Sequence, residues 1–101
     1  MSAEYDREIE LAIFELLAER GSGKTICPSE AARRMAERAG RPERWRAWMN
    51  RTRVTANAMV SRGTLIMLQR GERVSPDGVR GPIRLSLPPG NTNKCVESQN
   101  S

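Results

Sequence analysis

The chain has 101 residues, a net charge of +5, 38% apolar side chains and 4% aromatics, which fits one small domain with one modest core. No apolar run approaches the roughly 20 residues that a membrane-spanning helix needs, and the acidic, polar opening MSAEYDREIE is unlike a secretory signal. Histidine is absent and the two cysteines, Cys27 and Cys95, form no spaced ligand set, so structural zinc and any other cofactor are not expected, and a reducing cytoplasm is the expected compartment.

The first predicted element is a helix from about Glu4 to Arg20. Ile9, Ala12, Ile13, Leu16 and Leu17 recur at helical spacing, with Glu8, Glu15 and Glu19 mostly opposite. Leu11 and Phe14 widen the apolar face, which predicts packing on two sides. Residues 1–20 carry six acidic and two basic side chains. A phosphate would be repelled there, so this helix reads as scaffold.

Gly21 and Gly23 end it, and Thr25-Ile26 reads as a short extended piece. The run Glu19-Arg20-Gly21-Ser22-Gly23-Lys24-Thr25 echoes the end of a phosphate loop. The full pattern needs a glycine at position 18, where Ala18 stands, and a strand where residues 9–17 read as helix. A second helix is predicted over 28–39. Pro28 suits its first position, and Glu30 stands where a capping-box acid would, three residues past Cys27. Ala31, Ala32, Met35, Ala36 and Ala39 form its inner face, with Arg33, Arg34 and Arg38 pointing away. Gly40 and Arg41-Pro42 close it.

The third helix is predicted over 43–62, with a possible break near Asn50. Trp45, Met49, Thr52, Ala56, Met59 and Val60 form the inward stripe, which places Trp45 largely buried against the first two helices; the alternative buries Trp48 instead. Arg46, Asn50, Arg53 and Asn57 recur at spacings of four, three and four on the opposite surface, and Arg44, Arg51 and Arg62 broaden the charge. Arginine and asparagine pair bidentately with guanine and adenine edges. Residues 21–62 hold ten basic and three acidic side chains. Fifteen of the seventeen basic residues are arginine, which a general arginine bias would also produce.

After Gly63, TLIMLQR reads as a strand, and IRLSL alternates as a half-buried one. Between them, residues 70–82 form a loop. Ser75-Pro76-Asp77-Gly78 fits a type I turn flanked by Val74 and Val79, which looks like a hairpin tip. Gly81 suggests a special backbone turn, and Pro82 precedes the strand where a missing donor is tolerated. Arg80 and Arg84 have two readings: pairing with Glu8 or Glu15 of the first helix, or seeking phosphate. Pro88-Pro89-Gly90 ends the strand. We expect one domain over 1–90 and a polar, disordered tail over 91–101, with Cys95 a free thiol unless the tail folds back.

This order of elements predicts an α+β, winged helix-turn-helix-like fold: three helices with a small antiparallel β-hairpin wing, and Thr25-Ile26 as a possible third strand. The stretches TICPSEAAR, Trp45 and Met49 with Arg53, and GTLIMLQRG followed by RGPIRL resemble a group of small bacterial proteins catalogued as domain of unknown function 3253. The similarity spans roughly residues 7–87 and is most distinctive in RGPIRL. It implies a winged-helix-like fold and no particular activity. The chain departs from that pattern in carrying Trp48 in place of a leucine-like residue and Asn50-Arg51-Thr52 in mid-helix.

No residue constellation supports catalysis. Acid–base work without histidine falls to carboxylates, lysine or cysteine, and Glu30, Glu37 and Glu43 read as a cap and surface partners. We therefore expect no enzyme. The expected partner is double-stranded DNA, contacted by Arg44, Arg46, Asn50, Arg51, Arg53 and Asn57 of the third helix and by Arg70, Arg73 and Arg80 of the wing. The rival is a protein-interaction module whose basic face meets an acidic protein. No membrane partner is expected, and a monomer is favoured over a dimer through Leu11 and Phe14.

Overall fold

The computed structural model describes residues 3–88. Three helices, α1 (Ala3–Arg20), α2 (Pro28–Arg38) and α3 (Trp45–Arg62), precede three strands, β1 (Ile66–Gln69), β2 (Glu72–Val74) and β3 (Arg84–Ser86). The strands form one antiparallel sheet in the order β2-β1-β3. This is the winged helix-turn-helix arrangement that the order of elements predicts. The tail over 91–101 and Cys95 lie outside the described residues.

The helices bury most of the faces their spacing predicts, but Ala39, expected on the inner face of α2, is exposed just past the helix end. Ile9, Ala12, Ile13, Leu16 and Leu17 of α1 meet Ala31 and Met35 of α2, Ala56 and Met59 of α3, and Leu65, Met67, Ile83 and Leu85 from the sheet. The alanines of α2 let α3 approach closely, and these two helices share the most extensive helix–helix interface. Leu11 and Phe14 are 53% and 36% exposed, so α1 does not pack on two sides as expected. The core already fills its Ile9–Leu17 face, and no described element lies over the other.

The helix ends follow local chemistry. Pro28 opens α2, and the Cys27 N–H donates to Glu30 Oε2 at 2.9 Å, the acid half of the expected capping box. Cys27 is a half-buried free thiol. At the far end the Arg41 N–H reaches the Ala36 carbonyl at 2.9 Å and stops the helix. The interruption expected near Asn50 lies earlier. A 3₁₀ turn, Pro42–Arg44, leads into α3, which runs unbroken through Asn50. Proline supplies the break, because it cannot continue a helix from the preceding residues. Gly63, at φ +85, closes α3 in the left-handed conformation.

Ile26 pairs with Leu85 through N–H···O bonds of 2.9 and 2.8 Å, so the segment before α2 does join the sheet. The hairpin tip differs from expectation. Gln69 faces Glu72, leaving Arg70-Gly71 as a two-residue turn with φ +55 and +82. Both signs are those of a type I′ turn, which matches strand twist better than the type I turn read into Ser75–Gly78. Residues 76–78 do form a turn, held where the Asp77 N–H donates to Ser75 Oγ at 3.2 Å. It lies within the connection from β2 to β3. Val74 pairs with Met67 instead of facing Val79, and both valines rest on the core.

Candidate nucleic-acid interface

The face of α3 turned to solvent is set by what its other side buries. Thr52, Thr55, Ala56 and Met59 are buried, and Trp45, Trp48, Met49 and Val60 are half-buried. The helical repeat then puts Ala47, Asn50, Val54, Ala58 and Ser61, all exposed, along the middle of the free face. Arg46 is exposed, while Arg53 and Asn57 are half-buried. Arg46, Arg53 and Asn57 of the expected stripe therefore lie on one border of the face, and Asn50 alone of the four falls near its middle. Sequence reading missed the small central residues because the inward stripe was placed without Thr55. Adding Thr55 rotates the buried face, and threonine's amphipathic character hid it.

The other border runs beside α1. The Thr55 hydroxyl donates to Asp6 at 3.1 Å, and Arg62 donates to Glu10 at 2.9 Å. Tyr5 lies edge-on to Trp48 with ring centroids 5.5 Å apart, and the Arg51 guanidinium sits 4.9 Å from the Tyr5 centroid. Arg62 thus does not broaden the free charge of α3. It is held by a carboxylate.

Acidic α1 also engages α2. Arg34 grips Glu19 with both terminal nitrogens, at 2.8 and 2.9 Å, and Arg38 pairs with Glu15. Arg34 and Arg38 therefore turn onto α1 instead of pointing away. The hydrogen bond from Arg34, reinforced by its charge, holds the Glu19 carboxyl below the usual glutamate range. Arg20 of α1 also pairs with Glu30 of α2. Among the described residues, every ion pair lies in this set. Arg44, Arg46, Arg51 and Arg53 of the α3 region and Arg70, Arg73 and Arg80 of the wing have no carboxylate partner within it.

Trp45 is half-buried, as Trp48 is, but it is not among the residues packed on the core. Its ring lies between the guanidinium groups of Arg33 and Arg46, 4.0 and 4.6 Å from its centroid. As the first residue of α3 it sits at the rim, where cation–π stacking replaces core packing. Trp48, one turn further in, packs against the core. Arg84 donates to Thr25 Oγ1 at 2.9 Å and to the Thr25 carbonyl at 3.2 Å. The pairing of Arg80 and Arg84 with Glu8 or Glu15 is therefore not found; Arg84 ties β3 to the segment before α2 through neutral oxygens. Gln69, not singled out in the sequence, donates through Nε2 to the carbonyls of Arg80 and Pro82, the latter at 3.4 Å. Gly81, at φ +88, makes the backbone turn expected of it beside these contacts. Gln69, Arg70, Arg80, Gly81, Pro82 and Arg84 line one open cleft.

Among the described residues, no group of three His, Cys, Asp or Glu side chains is placed to hold a metal ion, and no helix is long and apolar enough to cross a membrane. The Gly21–Thr25 run forms a turn after α1, and the next helix begins only at Pro28. A family model described as a protein of unknown function (DUF3253) matches residues 6–88, nearly the span over which the sequence resembles that group. No curated protein matches the chain.

Proposed function

We propose, for a chain that belongs to the DUF3253 family, that its winged helix binds double-stranded DNA and performs no chemistry on it. The observation that carries this reading is the sorting of arginines. Arg34, Arg38 and Arg62 turn onto α1 and pair with Glu19, Glu15 and Glu10, whereas Arg44 before α3, Arg46, Arg51 and Arg53 on α3, and Arg70, Arg73 and Arg80 on the wing are left without carboxylates among the described residues. A field of one sign is thereby directed away from the acidic scaffold. In this fold class the second helix of the helix-turn-helix enters the major groove.

The composition of the α3 face suits that role. Ala47, Val54 and Ala58 are small enough to let the helix seat deeply, and such side chains meet thymine methyl groups favourably. Asn50 stands exposed among them. Arg46 and Arg53 on one border reach base edges or phosphate, and Arg44 and Arg51 reach phosphate. Arg51 stacks on Tyr5, which orders its guanidinium before binding.

A rival of another class is a docking module for an acidic protein. The exposed Leu11 and Phe14 of α1 favour some protein contact, but they lie on a helix with six acidic and two basic side chains in residues 1–20, which does not suit an acidic partner. Retention from lysate separates the two readings. A DNA binder is lost on nuclease treatment, whereas a protein complex persists.

A further inference from the structure

We infer that the cleft between the β1–β2 turn and the start of β3 is a phosphoryl-binding site, with Arg70 and Arg80 as its ligands. Three guanidinium-bearing residues, Arg70, Arg80 and Arg84, line it together with Gln69, Gly81 and Pro82. No carboxylate lines it, and neither Glu72 nor Asp77 of the wing belongs to any ion pair of the described residues. Gathering like charges around one cleft is unfavourable unless an anion sits among them. The planar guanidinium fork matches a tetrahedral phosphoryl oxyanion better than it matches a halide.

The backbone gives a second, independent observation. Arg70 is the one non-glycine residue at positive φ among the described residues, at +55. A type I′ turn prefers asparagine or glycine there, and an arginine at that position costs local stability. Strain of this kind collects where a side chain is needed for function. The turn places Arg70 in the lining of the cleft. Gln69, next to Arg70 in the chain, reaches across with Nε2 to the Arg80 and Pro82 carbonyls, and Gly81 makes the left-handed turn between them. Gln69 is thus a positioning residue for the Arg80 segment. Arg84 is already engaged with Thr25, so it contributes field more than new hydrogen bonds.

One phosphoryl chemistry has two sources here: a phosphomonoester of a small molecule, or a backbone diester of nucleic acid. Only the second rests on the DNA reading above. The test titrates the full chain with inorganic phosphate, at constant ionic strength against chloride, while following the amide signals of Gly71 and Gly81 and the Nε–H signals of Arg70, Arg80, Arg46 and Arg53. The same signals are then followed with duplex DNA. The variants are R70N, which relaxes the turn and is expected to melt no lower than the parent, and R80Q.

Saturable shifts at the wing but not at Arg46 and Arg53 with phosphate alone, weakened roughly tenfold or more in both variants, support the site with a small monoester as its source. Silence toward phosphate, with wing shifts on adding duplex and a similar loss of duplex affinity in R70N and R80Q, supports it with backbone as the source. Wing signals unmoved by either ligand, or moved by phosphate no more than those of Arg46 and Arg53, overturn it. That last result leaves duplex binding by α3 standing if the α3 signals still respond to DNA. Conversely, phosphate shifts at the wing without any response to duplex retain the site and remove the DNA reading.

Discussion

Arg34 and Glu19 form a two-pronged pair across the α1–α2 boundary, with N···O distances of 2.8 and 2.9 Å. The pair removes an α2 arginine from the basic surface and a carboxylate from the acidic one. It is solvent-exposed, so screening keeps its worth small. Arg34→Gln should lower stability only slightly and change duplex affinity less than twofold. Because Glu19 is held below its ordinary range, its contribution is present above the unfolded value and is lost as pH falls through the folded one. Thermal melts of the parent should therefore weaken below about pH 4, and Glu19→Gln should flatten that part of the profile.

Arg62 and Arg53 carry the same charge on one helix but differ in their partners. Arg62 donates to Glu10, whereas Arg53 has no carboxylate among the described residues. Arg53→Gln should weaken duplex binding about tenfold, the effect of losing roughly 1–2 kcal/mol. Arg62→Gln should weaken it less than threefold, because its charge is already neutralised. Fluorescence anisotropy on the two variants at one salt concentration compares them.

Two threonines one turn apart on α3 give opposite expectations. The Thr52 hydroxyl is buried without a hydrogen-bond partner among the described residues, while Thr55 donates to Asp6. Thr52→Val removes an unsatisfied polar atom at nearly constant shape and should raise stability by about 1 kcal/mol. Thr55→Val removes the partner of a half-buried carboxylate and should lower it by about 1–2 kcal/mol. Urea unfolding of both variants should move the midpoint in opposite directions.

The two tryptophans should separate as well. Trp48→Ala opens a space against the core and should cost about 2–4 kcal/mol. Trp45→Ala forfeits stacking with Arg33 and Arg46 and should cost about 1 kcal/mol. Chemical denaturation checks the order.

The helices and their inner faces were legible because their apolar residues recur at one clear period. Pro28, Glu30 and Gly63 marked the ends through chemistry that acts within a few residues. The sheet was legible as strands but not as a hairpin, because Arg70-Gly71 is an unusual I′ turn and Ser75-Pro76-Asp77-Gly78 is a better-looking one. Trp45 and Trp48 are both half-buried, and hydrophobicity alone does not tell which of them meets the core and which is covered by Arg33 and Arg46. The arginines of the outward face of α3 are legible in the spacing. Their division into neutralised and free ones depends on where α1 lies, which links Arg62 to Glu10 across 52 positions.

The central claim is that the free face of α3 binds duplex DNA, and anisotropy of a labelled random duplex tests it most directly. At about 50 mM salt the protein should bind in the micromolar range, and affinity should fall with salt along a slope of about −0.9 per phosphate neutralised. Arg46→Gln combined with Arg53→Gln should reduce binding strongly while leaving the fold intact by circular dichroism. No binding at tens of micromolar protein in that buffer would contradict the account.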